Sequence, residues 1–151
     1  MDEGETTREI VQRAVDSHGF LSWLDIRVEE VEQGRLVLRA PYHEKLANRG
    51  RESRGEVHGG IAATLVDTAG GIACRTELAN PRGVGAATID LNVSYLRAAL
   101  GDLIATAETV RVGSTVGVAT VTVESDTPDE GVAPVASGRG SFRLFHDDDD
   151  R

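Results

Sequence analysis

The chain has one cysteine, one lysine, one methionine, four prolines and few aromatic side chains: three Phe, two Tyr and one Trp. A single thiol, Cys74, excludes an internal disulfide and any metal site built on several cysteines, and it reads as a small buried hydrophobe. Lys45 is the one lysine among sixteen basic residues, and twenty-five acidic residues bring the net charge to −9. That balance opposes binding to a phosphate backbone, so no nucleic-acid partner is expected. An acidic, arginine-rich, nearly lysine-free composition fits an acidic proteome adapted to salt; it also fits plain solubility charge. No apolar run approaches the ~20 residues that span a bilayer, so no membrane partner is expected. The start, "MDEGETTREI", lacks the apolar core of a signal peptide, and a cytoplasmic location is the expectation. His18, His43, His58 and His146 lack ligand spacing, and no metal is expected. There is no Walker loop and no Gly-x-Ser-x-Gly elbow, and "GVGAAT" precedes a strand pattern, not the helix that a dinucleotide fingerprint needs.

The 151 residues suit one domain. Residues 6–17 carry Ile10, Val11, Ala14 and Val15 on one stripe behind a capping threonine, which predicts a short amphipathic helix within an amino-terminal segment, 1–22. "LDIRVEEVEQGRLVLRAPY" reads as two strands turning at Gln33-Gly34 and closed by Pro41. Residues 43–56 are polar and glycine-punctuated, hence a loop. From Gly59 to about Leu78, apolar residues recur at steps of three and four, the spacing of a helix stopped by "NPRG". The period then changes to two. "TIDLNVSYL" sets Ile89, Leu91, Val93 and Tyr95 on one buried face, and three more β-rich segments follow. "HDDDDR", 146–151, reads as a solvated tail. Strands grouped on either side of one long helix, without alternating βαβ units, predict an α+β domain with an antiparallel sheet packed on that helix. The helix is rich in alanine and glycine, thin enough for a curved sheet to wrap closely.

The chemistry concentrates at the start of the long helix. Unpaired backbone N–H groups and the positive dipole end favour developing negative charge there, and glycine lets a ligand approach. His58-Gly59-Gly60 is therefore a candidate for polarising a carbonyl oxygen. Asp67 is an acid in an otherwise apolar segment, and an acid there needs a reason. It lies nine residues beyond His58, roughly 13 Å of helical rise and about half a revolution away, so one chain does not bring both to a small substrate. Two chains related by a two-fold axis would form two identical composite sites.

"GEVHGGIAATLVDTAGG", with "TIDLNVSYLR" and "ASGRGSFRL", resembles the PaaI-type acyl-CoA thioesterases of the hotdog superfamily from about Trp23 to Leu144. The resemblance implies a hotdog domain over 23–145, a sheet wrapped around a central helix, and assembly as a homodimer or as a homotetramer of two dimers. It implies acyl-CoA as substrate, with coenzyme A entering as part of that substrate and no separate cofactor. The Gly59 N–H would point at the thioester carbonyl. Asp67 of the opposite subunit would serve as nucleophile or as general base on water. His58 would shape the loop, and Thr88, two residues before Asp90, would assist the acid or the water. The family pattern Asn-x-x-Gly-x-x-His-Gly-Gly is met at Gly55 but has Glu52 in the asparagine position. Either Glu52, Ser53 or Asn48 supplies the polar contact after a loop shift, or the site binds the acyl group differently. Gly60 belongs to the same substrate-binding turn, Arg97, Arg111, Arg139 and Arg143 are candidate partners for the coenzyme A phosphates, and Gly113 resembles the glycine beside which pantetheine passes. Two alternatives stand beside this reading: a non-catalytic acyl-CoA sensor, and a hotdog dehydratase or hydratase.

Overall fold

The computed structural model describes residues 4–147. Helix α1, Thr7–Ser17, opens on a reciprocal cap: Thr6 Oγ1 accepts from Glu9 N, and the Glu9 carboxylate accepts from Thr6 N at 2.7 Å. Two orphan donors are satisfied at once, and the bond from the Thr6 N–H holds the Glu9 carboxyl below its usual range. A second short helix, α2 (Gly19–Trp23), follows directly and is a feature the apolar stripe did not announce. Strands β1 (Arg27–Glu32) and β2 (Arg35–Ala40) turn at Gly34, whose φ of 76° suits glycine. The polar loop holds one 3₁₀ turn, Glu44–Leu46, and closes by a bridge between Ala47 and Val57. Helix α3 spans Gly59–Thr76, and β3 (Val84–Tyr95), β4 (Leu103–Val112), β5 (Val116–Thr127) and β6 (Gly131–His146) complete the domain.

All strand pairs are antiparallel, in the order β1-β2-β4-β5-β6-β3, and α3 lies against β2 through β6. Alternation decides which side chains meet the helix. Leu103, Ala105 and Ala107 of β4 and Ala119, Val121 and Val123 of β5 are buried, while their neighbours face outward. Small residues on both surfaces, Ala62, Ala69 and Ala73 against Ala105, Ala107 and Ala119, let the layers approach closely. At Gly70 the helix backbone itself comes close: a Cβ there would lie 2.9 Å from Phe142 Cζ. Glycine in a helix costs about 1 kcal/mol relative to alanine, but the fully buried Phe142 ring returns roughly 1.5–3 kcal/mol.

Three details depart from the expectations. Helix α3 stops at Thr76, short of Leu78, because its last turn tightens: Glu77 N bonds to Cys74 O and Leu78 N to Arg75 O. The Thr76 and Glu77 side chains then bind Gly34 N at 2.8 Å and the Thr109 hydroxyl at 2.6 Å. On β3, Leu91 and Val93 pack on the core as expected, but Ile89 and Tyr95 are 59% and 58% exposed. A bulge between Thr88 and Asp90 resets the facing, and β3 is an edge strand paired only with β6. Finally, His146 belongs to β6, with Nε2 2.6 Å from Ser114 O, because the strand pairs on through the expected domain boundary. Residues 148–151 of the expected tail, and 1–3 of the amino-terminal segment, lie outside the described residues. No helix among the described residues is long and apolar enough to cross a membrane.

Candidate active site

The chain is pinned just before α3 begins. Val57 N donates to Ala99 O at 2.9 Å and His58 N to Leu46 O at 2.8 Å. His58 is the N-cap, its Nδ1 accepting from Gly60 N at 2.9 Å, so one orphan donor of the first turn is consumed. The Gly59 N–H has no partner within the described residues and remains available at the positive end of the helix. A Cβ on Gly59 would lie 3.0 Å from Tyr95 Cε1, and the Tyr95 hydroxyl donates to Gly59 O at 3.0 Å. Tyr95 thus sits over the helix tip. Sequence spacing did not reveal it, since thirty-six residues separate the two and only the sheet joins them.

The loop before the helix is organised by Glu56, another residue the motif did not single out. Its carboxylate is held below the usual range by backbone N–H groups, first its own and then that of Arg54, with the Ser53 hydroxyl and the Asn48 side chain adding to them. Arg54 N lies 2.7 Å from Glu56 Oε2, and the Ser53 hydroxyl lies 2.8 Å from Asn48 O. Tyr42 adds a bond from its hydroxyl to Gly55 O at 2.9 Å, and the φ of 82° at Gly55 explains the glycine there. Of the three candidates for the asparagine's contact, Ser53 and Asn48 join this network, while Glu52 is exposed and takes no part in it.

Asp67 projects from the middle of α3, half-buried, and accepts a hydrogen bond from the Thr88 hydroxyl at 2.5 Å. No cation pairs with it among the described residues. The pair lines a cleft of about 270 Å³ with His18, Ile72 and Phe142. The structure therefore joins Thr88 to Asp67 within one chain. It does not join Gly59 to Asp67: eight residues of one helix separate them by roughly 12 Å.

The arginine candidates are scattered. Arg97 is tied to the β5–β6 turn, donating to Pro134 O at 2.8 Å and pairing with Glu130 at 3.1 Å. Arg111 and Gly113 lie by the opposite end of α3, where Gly117 packs on Cys74, and Gly113 N donates to Val116 O in a hairpin. Arg139 is exposed on the sheet, and Arg143 donates to Leu144 O and stacks on Phe145 at 4.9 Å. None of them touches Gly59 or Asp67 in this chain. No group of three candidate metal ligands occurs among the described residues.

Comparison with known proteins gives a consistent result. The family model described as "Thioesterase superfamily" matches residues 54–132, a stretch that includes the helix tip, Asp67 and Thr88. A protein of Halobacterium salinarum that carries a provisional esterase name is 56% identical over 148 residues, 97% of each chain. Human acyl-coenzyme A thioesterase 13 is 28% identical over 120 residues, 78% of this chain and 81% of that one. The Escherichia coli PaaI protein from the phenylacetic acid degradation operon superposes with a TM-score of 0.72 at 22% identity, covering 89% of this chain and 90% of that one.

Proposed function

On the premise that this chain belongs to the thioesterase superfamily, as a PaaI-like hotdog member that hydrolyses thioesters, we propose that its substrate is an acyl-CoA and that Asp67 performs the chemistry. The observation that carries the residue assignment is the Asp67 carboxylate, held by the Thr88 hydroxyl at a cleft and paired with no cation. An unneutralised carboxylate in an apolar helix is costly, and function accounts for keeping it there. Acyl-coenzyme A is the substrate class named for the human relative.

The reaction needs two groups that one chain keeps apart. The Gly59 N–H would stabilise the oxyanion that develops on the thioester carbonyl. Asp67 would attack the carbonyl carbon, expelling the coenzyme A thiolate and leaving an anhydride for water to cleave, or would take a proton from the attacking water. Both routes give a free acid and coenzyme A. The open edge of β3 supports pairing with a second β3 about a two-fold axis, since an unpaired edge of this length is a ready template for another strand. Antiparallel helices would then bring the Gly59 tip of one chain to Asp67 of the other. Asp67 has a hydrolytic role in this scheme, which sets it apart from a sensor that binds acyl-CoA without turnover.

The test is thiol release from a panel of acyl-CoA esters by the wild type and by Asp67→Asn. Asp67→Asn should lower kcat by at least ~10²–10⁴ with KM little changed. Full turnover in Asp67→Asn would overturn the residue assignment, and no thiol release from any acyl-CoA by the wild type would overturn the substrate class.

A further inference from the structure

The cleft at Asp67 has a neighbour. It shares Ala14, Ile72 and Arg75 with a second and larger cleft of about 1150 Å³ between α1 and the carboxyl-terminal half of α3. Helix α1 forms the roof. It is held from its far side, where Gln12 imitates a strand: its Nε2 donates to Ile26 O at 3.0 Å, and its Oε1 accepts from Val28 N at 2.7 Å. Of the apolar stripe Ile10, Val11, Ala14 and Val15, only Val15 is fully buried, and the other three line the larger cleft. The amphipathic face of α1 is thus left partly uncovered over a cavity that adjoins the one holding the carboxylate. Ile72 and Leu78 supply apolar floor beneath it.

Arg75 lines both clefts. Its Nε and Nη2 both donate to Pro81 O, at 3.3 and 2.9 Å, which ties the guanidinium to the loop after α3. An arginine held in this way presents its methylene stem to the surface it crosses.

We infer, resting on the acyl-CoA hydrolase reading above, that the cleft roofed by α1 takes the hydrocarbon chain of the acyl group, and that this protein is selective for medium or longer straight-chain acyl thioesters. The carbonyl carbon must reach Asp67, and Ala14, Ile72 and Arg75 line both the Asp67 cleft and the larger one. From Asp67 to Arg75 the helix rises roughly 12 Å. With C–C bonds of about 1.5 Å laid in zigzag, that length holds an extended chain on the order of ten carbons. Each buried methylene is worth about fourfold in affinity, so lengthening the chain should be felt until the cleft is filled.

The experiment compares kcat/KM for butyryl-, decanoyl- and phenylacetyl-CoA in the wild type and in Ala14→Trp. Ala14 is exposed on α1 and lines both cavities, so an indole there fills their shared boundary without entering the folded core. Ala14→Ser, which adds little bulk, serves as the control, and circular dichroism checks that both variants are folded. The wild type should prefer decanoyl-CoA to butyryl- and phenylacetyl-CoA by at least tenfold. Ala14→Trp should lower the decanoyl-to-butyryl ratio by at least tenfold, and Ala14→Ser should keep it. A flat chain-length profile, a preference for phenylacetyl-CoA, or a ratio that Ala14→Trp leaves unchanged would each overturn the channel while the hydrolase reading stands. Thiol release from none of the three would remove the hydrolase reading and the channel with it.

Discussion

Replacing Gly59 by proline removes one N–H group and almost nothing else that α3 needs. Proline is favoured at the first helical position, where the N–H has no intrahelical partner. The residue before it must avoid the helical region, and His58 already has φ −56° and ψ 131°. The new ring carbons press on Tyr95, whose Cε1 would lie 3.0 Å from an added Cβ, but Tyr95 is 58% exposed and can swing aside. Gly59→Ala presses on the same ring and keeps the N–H, so the ratio of the two variants isolates the donor. Loss of one oxyanion donor typically costs ~10²–10³ in kcat, and Gly59→Pro should fall below Gly59→Ala by that factor in a thiol-release assay. Mixing folded Gly59→Pro with Asp67→Asn then tests the two-chain site. After random exchange half the dimers are mixed, each with one intact site of two, so activity should return to about a quarter of the wild-type value. Equal kcat in the proline and alanine variants would refute the role of the N–H. A mixture that stays dead after verified exchange would refute the composite site.

Thr88→Ala removes the one hydroxyl bonded to Asp67 and should slow turnover about 10- to 100-fold, below the ~10²–10⁴ of a proton-transfer group; full kcat in single-turnover kinetics would return Thr88 to an ordinary strand residue. Burial pushes the Cys74 thiol up to about 11 from 9.0, so the unfolded chain loses its proton first. Stability should accordingly decline by roughly 2–3 kcal/mol between pH 9 and 11, and Cys74→Ala should flatten that stretch of a urea-denaturation series; an unchanged decline in the variant would assign it to other groups. With a net charge of −9, the melting temperature should rise between dilute buffer and ~1 M KCl, where the screening length shrinks to about 3 Å, and a flat or falling value would remove the inference of salt adaptation.

The elements themselves were legible because local patterns speak for them. The capping threonine of α1, the Gly34 turn, the three- and four-residue spacing of α3 and the period-two strands each reflect a constraint satisfied within a few residues of chain. The candidate residues were legible for a related reason: a glycine pair behind a capping histidine, and one acid in an apolar helix, are unusual enough in sequence to demand an explanation. The separation of Gly59 from Asp67 followed from helix geometry alone.

Tertiary structure decided what depends on residues distant in sequence. The contact of Thr88 with Asp67 needs β3 folded back along α3, and the cover of Tyr95 over Gly59 needs the whole length of that strand. The exposure of Ile89 follows from a bulge and an open sheet edge, neither of which an alternating pattern records. Likewise, the apolar stripe of α1 was visible in the sequence, but that it roofs a cavity instead of closing the core depends on Gln12 fastening the helix to the edge strand β1. Periodicity reports which face of an element is apolar; the space left between two such faces is set only when the elements dock.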